Sequence, residues 1–197
     1  MMQRKAEIKR KTKETDVILK LNLDGTGECA SESGSGFFNH MMDLLARHGG
    51  LDLKLKCKGD TEVDLHHSVE DTGICLGLAL AEALGEKKGI NRYGCALIPM
   101  DESLARTALD LGGRTFFEYN ADIKREKTGE FDTELVSEFF KALSDNARIN
   151  LHIDLLKTGN THHCIEAIFK SFARALKQAC TQDPSVAGAI PSTKGAL

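Results

Sequence analysis

Two short stretches of this 197-residue chain carry side chains that bind transition metals, and both have the same spacing. Residues 66–70 and 162–166 each read His-His-x-x-Glu, directly before an apolar pattern with helical periodicity. On a helix, residues i and i+4 share a face, so His66 lies beside Glu70, whereas His67 points about 100° away. The second copy has the same geometry. Each helix therefore offers two ligands to one cation and a single ligand to another.

Imidazole and carboxylate ligands together suit zinc, manganese, iron or nickel. No cysteine pair lies nearby, so the thiolate type of structural zinc site is not favoured. The alternative interpretation is that these polar residues only cap and solvate two helix N-termini. Two copies at matched places in a duplicated chain favour metal binding. The two motifs contain six candidate metal ligands: His66, His67, Glu70, His162, His163 and Glu166.

Two further candidates lie on the helices that precede these motifs. His40 alone would be interpreted as a helix residue facing water. It aligns with Glu138 when the two halves are superposed, and this match favours both as ligands. His152, in the strand pattern "LHIDL", is interpreted instead as a partly buried core histidine.

The periodicity of the chain divides it into two similar halves. Each half predicts three strands, a helix, a strand and a long helix, which is a βββαβα unit. Residues 1–89 form the first repeat unit, residues 90–183 the second, and residues 184–197 a tail without periodicity. We therefore predict an internally duplicated α+β fold, with two sheets and a layer of helices packed on one face of each.

Capping residues predict where two helices of the second half begin. Residues 132–147 predict a helix with Asp132 as its N-cap, and either Asn160 or Thr161 caps the last helix.

The composition excludes several classes of protein. A net charge of −3 lacks the basic excess that is typical of nucleic-acid-binding proteins. No apolar run reaches the length of about 18 residues that a membrane helix needs, and the charged N-terminus lacks the apolar segment of a secretory signal. Six cysteines without CxxC spacing indicate free thiols in a reducing compartment. We expect a cytoplasmic protein with no nucleic-acid or membrane partner.

Several cations stand at turn-like places in the second half. Arg92 lies in "GINRYG", Arg114 in "GGRTFF", and Lys194 follows Ser192 in "PSTKG". A small phosphate needs a few such groups with hydroxyl or backbone donors. Each alone is an ordinary surface charge, but together they predict a phosphate pocket if the fold gathers them. The glycine-rich nucleotide motifs GxxxxGKS and GxGxxG do not occur.

Several long stretches, in order between residues 3 and 197, resemble the imidazoleglycerol-phosphate dehydratase family. They are "FFNHMMDLLARHGGLDL", "HHSVEDTGICLGLALAEALGEKKGINRYG", "PMDESLARTALDLGGR", "GNTHHCIEAIFKSFARALKQA" and "IPSTKGAL". The resemblance implies a hydro-lyase that dehydrates D-erythro-imidazoleglycerol phosphate to imidazole-acetol phosphate in histidine biosynthesis. It also implies a duplicated fold of the ribosomal protein S5 domain 2-like type. The implied enzyme binds two manganese ions per subunit and forms a 24-subunit homo-oligomer with active sites between subunits.

The resemblance also implies site residues, carried over by position. The implied metal ligands are His40, His66, His67, Glu70, Glu138, His162, His163 and Glu166. The implied substrate contacts are Glu14, His48, Arg92, Arg114, Lys170, Ser192 and Lys194, with the tail closing over the phosphate. Glu14 and Glu166 are the candidate catalytic carboxylates. Where the family pattern has histidine before Phe-Phe, this chain has Glu138, so we expect the two metals to differ in affinity.

Two other functions are compatible with the residues themselves. One is a two-metal hydrolase of a phosphorylated metabolite, which would release inorganic phosphate. The other is a non-catalytic, metal-binding oligomeric scaffold, in which Arg92, Arg114 and Lys194 have no role. In the dehydratase, the metal-bound imidazole ring of the substrate would supply the electrons that expel the hydroxyl, so no organic cofactor is needed.

Overall fold

The computed structural model describes residues 4–186 and 188–195, so positions 187, 196 and 197 of the predicted tail lie outside it. The elements of its first half are β1 (Lys5–Lys11), β2 (Thr15–Asn22), β3 (Cys29–Glu32), α1 (Gly36–Gly49), β4 (Asp52–Gly59) and α2 (His66–Leu84). This is the βββαβα order that the periodicity predicts.

The second half repeats that order with one insertion. Its elements are β5 (Tyr93–Met100), β6 (Ser103–Asp110), β7 (Phe116–Asn120), α3 (Leu135–Ala147), β10 (Asn150–Lys157) and α4 (Thr161–Cys180). A small hairpin of β8 (Lys127–Thr128) and β9 (Phe131–Asp132) is inserted before α3, and a 3₁₀ turn (Pro184–Val186) follows α4.

The inserted hairpin makes one capping prediction wrong. Asp132 pairs with Lys127 across the hairpin, and their side chains form an ion pair of 3.2 Å. Asp132 is therefore not the N-cap of α3, which begins three residues later after Glu134. The other capping prediction is confirmed, because the Asn160 side chain accepts a hydrogen bond from the His162 backbone N–H at the start of α4.

The two main sheets have the same topology. Their strand orders are β1-β2-β4-β3 and β5-β6-β10-β7, and in each the last pair is parallel while the others are antiparallel. Alternate residues of the central strands face inward, as Val17, Leu19 and Leu21 do in β2. The internal duplication and the α+β class are both confirmed.

The helices form a layer between the two sheets. Helices α1 and α2 pack on the first sheet, α3 and α4 contact the second, α2 packs against α3, and α1 packs against α4. Each long helix thus pairs with the shorter helix of the other half. The His-His-x-x-Glu motif of α4 therefore faces α1, which carries His40.

Two glycines of α2 permit its close approach to α3. A Cβ atom added at Gly73 would lie 2.6 Å from the carbonyl oxygen of Phe139, and one at Gly77 would lie 2.6 Å from that of Leu143. Contacts this short exclude any side chain, so the two backbones are in direct contact. This packing fixes the first His-His-x-x-Glu motif relative to Glu138 on α3.

The structure overturns the interpretation of His152 as a partly buried core residue. In β10, Leu151 and Ile153 face the core, so the alternation of the strand turns His152 to the exposed outer face of the sheet. Its ring lies 5.3 Å from the ring of Phe116. His152 is therefore remote from the helix layer that carries the other histidine candidates.

The cysteines agree with the sequence prediction. All six are free, and four of them are buried in the helices and strands of the core. Among the described residues, no helix is both long and apolar enough to cross a membrane.

Candidate metal centre and anion-binding groove

Three predicted ligands converge between α1 and α4. The Nε2 atoms of His40 and His162 lie 2.9 and 3.0 Å from the same carboxylate oxygen of Glu166. The ligating atoms of the three residues all lie within 4.8 Å of one another. Two imidazole nitrogens and a carboxylate oxygen around one point are a donor set that suits manganese, iron or zinc. These residues therefore fit a divalent cation.

The carboxyl group of Glu166 is held in its ionised form. Burial opposes ionisation, but the Lys170 ammonium and the rings of His40 and His162 outweigh it and lower the pKa of Glu166 to about 2. Lys170 Nζ lies 2.5 Å from the carboxylate oxygen that faces away from the histidines. Glu166 is thus a ready anionic ligand, and Lys170 orients it.

The matching residues of the first half do not converge in the same way. Within the part of the chain that the structure describes, His66, Glu70 and Glu138 do not form a group with ligand atoms within 4.8 Å. Asp145, with smaller contributions from Glu138 and Glu70, raises the pKa of Lys141. Glu138 and Glu70 thus lie near the same ammonium. Two carboxylates repel each other, whereas in the other half the His40 ring forms a hydrogen bond with the Glu166 carboxylate.

The second histidine of the first motif lies between two carboxylates. The Nδ1 atom of His67 lies 3.0 Å from Asp60, and its Nε2 atom lies 4.0 Å from Glu14. The hydrogen bond that the His67 ring donates to Asp60 raises the pKa of His67. The fold therefore brings Glu14, from the turn between β1 and β2, to a predicted metal ligand.

The second histidine of the other motif also contacts carboxylates. The Nδ1 atom of His163 lies 3.1 Å from Glu102 and 3.8 Å from Asp101. The pKa of Glu102 is lowered to about 2 because its carboxylate accepts hydrogen bonds from the backbone N–H groups of Asn160 and Glu102 and from the His163 ring. Sequence analysis missed Glu102 and Asp60, because neither belongs to a motif. The only available signal for Asp60 is its position between a strand and the histidines.

The predicted phosphate-binding residues line one groove at the other end of the molecule. Arg92, Arg114, Ser192 and Lys194 surround a space of about 730 Å³ between the ends of α2 and α3 and the tail. Arg92 donates to both carboxylate oxygens of Asp110, at 2.7 and 3.0 Å, and to the carbonyl of Pro191, at 2.8 Å. Arg92 therefore anchors the described part of the tail to the groove.

Two cations that sequence analysis missed also line this groove. They are Lys87 and Arg148, and with Arg92 they have positive backbone φ angles of 56°, 55° and 72°. Non-glycine residues rarely adopt this conformation, and it is often retained at functional sites. Neither Lys87 nor Arg148 lies in a recognisable sequence motif, so no signal in the sequence points to either residue.

His48 lies two turns beyond His40 on α1. Burial, together with the nearby charges of Lys170 and Arg174, lowers the pKa of His48. The ring is therefore neutral near pH 7. His48 lies on the side of the metal centre where Lys170 is, so the structure brings these two predicted substrate contacts together.

The metal centre and the groove lie at opposite ends of α4. His162 is in the first turn of α4, whereas the groove residue Arg92 donates its backbone N–H to the carbonyl of Ala179 near the helix end. At 1.5 Å per residue, these two points of α4 are about 25 Å apart. One small molecule cannot contact both places in the same chain.

The fold and these two places define a class: a duplicated α+β domain in which two histidines and a carboxylate converge at one place and cations line a separate groove. Comparison with known proteins identifies the family within that class. The family model for imidazoleglycerol-phosphate dehydratase matches residues 33–176. The chain belongs to the imidazoleglycerol-phosphate dehydratase family.

Full-length relatives agree with the family model. Over 194 residues, the chain is 58% identical to imidazoleglycerol-phosphate dehydratase of Heliobacterium modesticaldum, covering 98% of this chain and 100% of the relative. The corresponding protein of Oceanobacillus iheyensis is 55% identical over the same coverage. The crystal structure of the Staphylococcus aureus enzyme superposes with a TM-score of 0.82 at 44% identity, covering 90% of this chain and 99% of the other.

An archaeal structure has the same fold. The enzyme from Pyrococcus furiosus superposes with a TM-score of 0.83 at 32% identity, covering 96% of this chain and all of the other. The chain is therefore a hydro-lyase of histidine biosynthesis, and the hydrolase and scaffold alternatives are set aside. The family depends on metal, and its substrate is a small phosphorylated molecule.

Proposed function

We propose that each subunit holds two manganese ions and uses them to dehydrate D-erythro-imidazoleglycerol phosphate to imidazole-acetol phosphate. The observation that carries this proposal is the convergence of His40, His162 and Glu166 on one point. Divalent ions bound there would stabilise negative charge on the imidazole ring of the substrate.

The remaining proposed ligands are divided between two ions. The rings of His66 and His67 are 6.1 Å apart at an interplanar angle of 80°, and those of His162 and His163 are 6.3 Å apart at the same angle. Because adjacent residues of a helix point about 100° apart, we assign the two rings of each motif to different ions, so that each helix contributes to two centres. The proposed set is His40, His66, His67, Glu70, Glu138, His162, His163 and Glu166.

We propose that the active site is shared between chains. The distance of about 25 Å between the centre and the groove, along α4, far exceeds the length of a phosphorylated imidazole with a three-carbon chain. If a second copy of the chain places its groove beside the metal centre of the first, one substrate molecule can contact both. The distance supports a homo-oligomer, for which we propose the 24-subunit shell.

In this arrangement the groove binds the phosphate. Arg114 and Lys194 supply exposed cations, Ser192 supplies a hydroxyl, and Arg92 holds the tail in place through Pro191. Residues 184–197, the tail that follows the two repeat units at 1–89 and 90–183, would close over the phosphate. His48 and Lys170 would contact the substrate at the metal end.

Of the two catalytic candidates, Glu14 suits proton transfer better. A carboxyl with a pKa of about 2, such as that of Glu166, is a poor proton shuttle near neutral pH. Glu14 is exposed and lies 4.0 Å from His67, beside a proposed ligand. We therefore assign metal binding to Glu166 and the acid–base role to Glu14.

Free thiols and a biosynthetic family support a cytoplasmic location. The proposed reaction also requires only a small-molecule substrate and the metal. The enzyme needs neither nucleic acid nor a membrane for this chemistry.

Product analysis of the manganese-loaded enzyme tests the proposed reaction. We expect one equivalent of imidazole-acetol phosphate for each substrate consumed, without inorganic phosphate. Arg114→Ala should raise KM by at least about tenfold, because a charge-assisted phosphate contact is lost, while the metal content stays unchanged. Stoichiometric release of inorganic phosphate would instead identify a hydrolase and refute the dehydration chemistry.

A further inference from the structure

The turn between β5 and β6 presents a carboxylate to the start of α4. It consists of two residues, Asp101 and Glu102, between the paired residues Met100 and Ser103. Asp101 has a φ of 48°, a conformation that two-residue hairpins require and that aspartate tolerates. This turn aims the Glu102 side chain at the first turn of α4.

Two hydrogen bonds fix the position of Glu102. Its Oε1 atom accepts a hydrogen bond of 2.5 Å from the Asn160 backbone N–H, and its Oε2 atom lies 3.1 Å from His163 Nδ1. A Cβ atom added at Gly159 would lie only 2.1 Å from Glu102 Cγ. The loop before α4 therefore contains glycine where the Glu102 side chain passes.

The first half has an equivalent glutamate with a different partner. Glu14 directly precedes β2 as Glu102 precedes β6, and each approaches the second histidine of its motif. Glu14 faces Nε2 of His67, at 4.0 Å, and Asp60 occupies the Nδ1 side, at 3.0 Å. In both halves a carboxylate thus holds Nδ1, although it comes from a different element.

We propose that Glu102 and Asp60 are positioning residues that hold the proton of His163 and His67 on Nδ1. A neutral imidazole has one protonated nitrogen and one with a free lone pair. A carboxylate that accepts the Nδ1–H bond leaves the lone pair on Nε2, orients the ring and increases its basicity toward a metal. This inference rests on the proposed function, since it concerns the proposed manganese ligands.

The duplicated turns have therefore taken different roles. The Glu102 carboxylate accepts hydrogen bonds from Asn160 and His163. Among the described residues, none donates a hydrogen bond to the Glu14 carboxylate, which faces Nε2 of His67. The Glu14 carboxylate of the first half is therefore available to exchange a proton with a substrate. The second half uses the equivalent position to orient a ligand.

The substitution Glu102→Gln tests this role. Glutamine keeps the side-chain length and an oxygen for the Asn160 N–H, but it removes the charge that holds the Nδ1 proton. We expect the dissociation constant for Mn²⁺, measured by competition with a chelator, to rise by about tenfold or more. The metal-free protein should stay folded, with one cooperative melting transition, because Glu102 is exposed and the core is unchanged. Asp60→Asn should weaken Mn²⁺ binding in the same way.

Asp101→Asn is the matched control, because its carboxylate lies 3.8 Å from Nδ1, beyond hydrogen-bond distance. It should leave Mn²⁺ affinity unchanged. If Asp101→Asn and Glu102→Gln weaken Mn²⁺ binding equally, the carboxylates of this turn bind an ion themselves. That result would overturn the positioning role. Wild-type affinity in Glu102→Gln would also overturn it, while leaving the metal centre intact. If the wild-type protein binds no Mn²⁺, the proposed function fails with it.

Discussion

Subunits with His162→Ala, which should be nearly inactive alone, and subunits with Arg114→Ala, whose rate below KM should be at least about tenfold lower, are expected to regain activity when they are co-expressed. If every active site takes its metal centre from one chain and its groove from another, random mixing leaves about a quarter of the sites with both parts intact. We therefore expect about a quarter of the wild-type rate, measured at substrate concentrations well below KM. The physical basis is the separation of the two sites at opposite ends of α4.

A second mixture provides the control for this experiment. His162→Ala and Glu166→Gln alter the same cluster, so every chain in that mixture carries a defective metal centre. We therefore expect this mixture to regain no catalytic activity. If the first mixture also shows no more activity than its components, the metal centre and the groove act within one chain, and the shared site is refuted.

Glu166→Gln is expected to lower turnover by more than about 100-fold, beyond the usual effect of losing an outer-shell partner. The substitution removes the carboxylate that His40 and His162 face. It also leaves Lys170, whose side chain is 15% exposed, without its 2.5 Å partner beside the cation site. An unpaired ammonium at this place repels a divalent ion. Elemental analysis should show the loss of about one manganese per subunit.

The same chemical change at an exposed position serves as the control. Glu130 lies in the turn between β8 and β9 and is exposed, so Glu130→Gln should retain full turnover and metal. Normal metal content in Glu166→Gln would show that the carboxylate is not a ligand. Its role would then be limited to the ion pair with Lys170.

The sequence predicted the fold and the metal candidates because both depend on local spacing. The period of the apolar residues gave nearly every helix and strand, and the repeat of His-His-x-x-Glu identified two matched helices. His40 was a candidate from its place on the preceding helix, and aligning the two halves, which matches it with Glu138, strengthened the prediction. The hairpin of β8 and β9 was missed because two-residue strands have no periodicity, and its pairing displaced the predicted cap at Asp132.

The contacts that orient the site could not be predicted in this way. Glu102 and His163 are 61 residues apart in sequence, and they meet because a two-residue turn and a glycine bring them together. Lys87 and Arg148 lie in the groove because the ends of α2 and α3 are adjacent. Such contacts depend on tertiary packing, and spacing along the chain does not report it.

Removal of the metal tests the central claim most directly. Protein dialysed against a chelator until elemental analysis finds no divalent ion should no longer dehydrate imidazoleglycerol phosphate. Addition of Mn²⁺ should restore the rate in proportion to uptake, up to two ions per subunit. A metal-free sample that turns over at the full rate would contradict the assignment of His40, His162 and Glu166 to a catalytic metal centre.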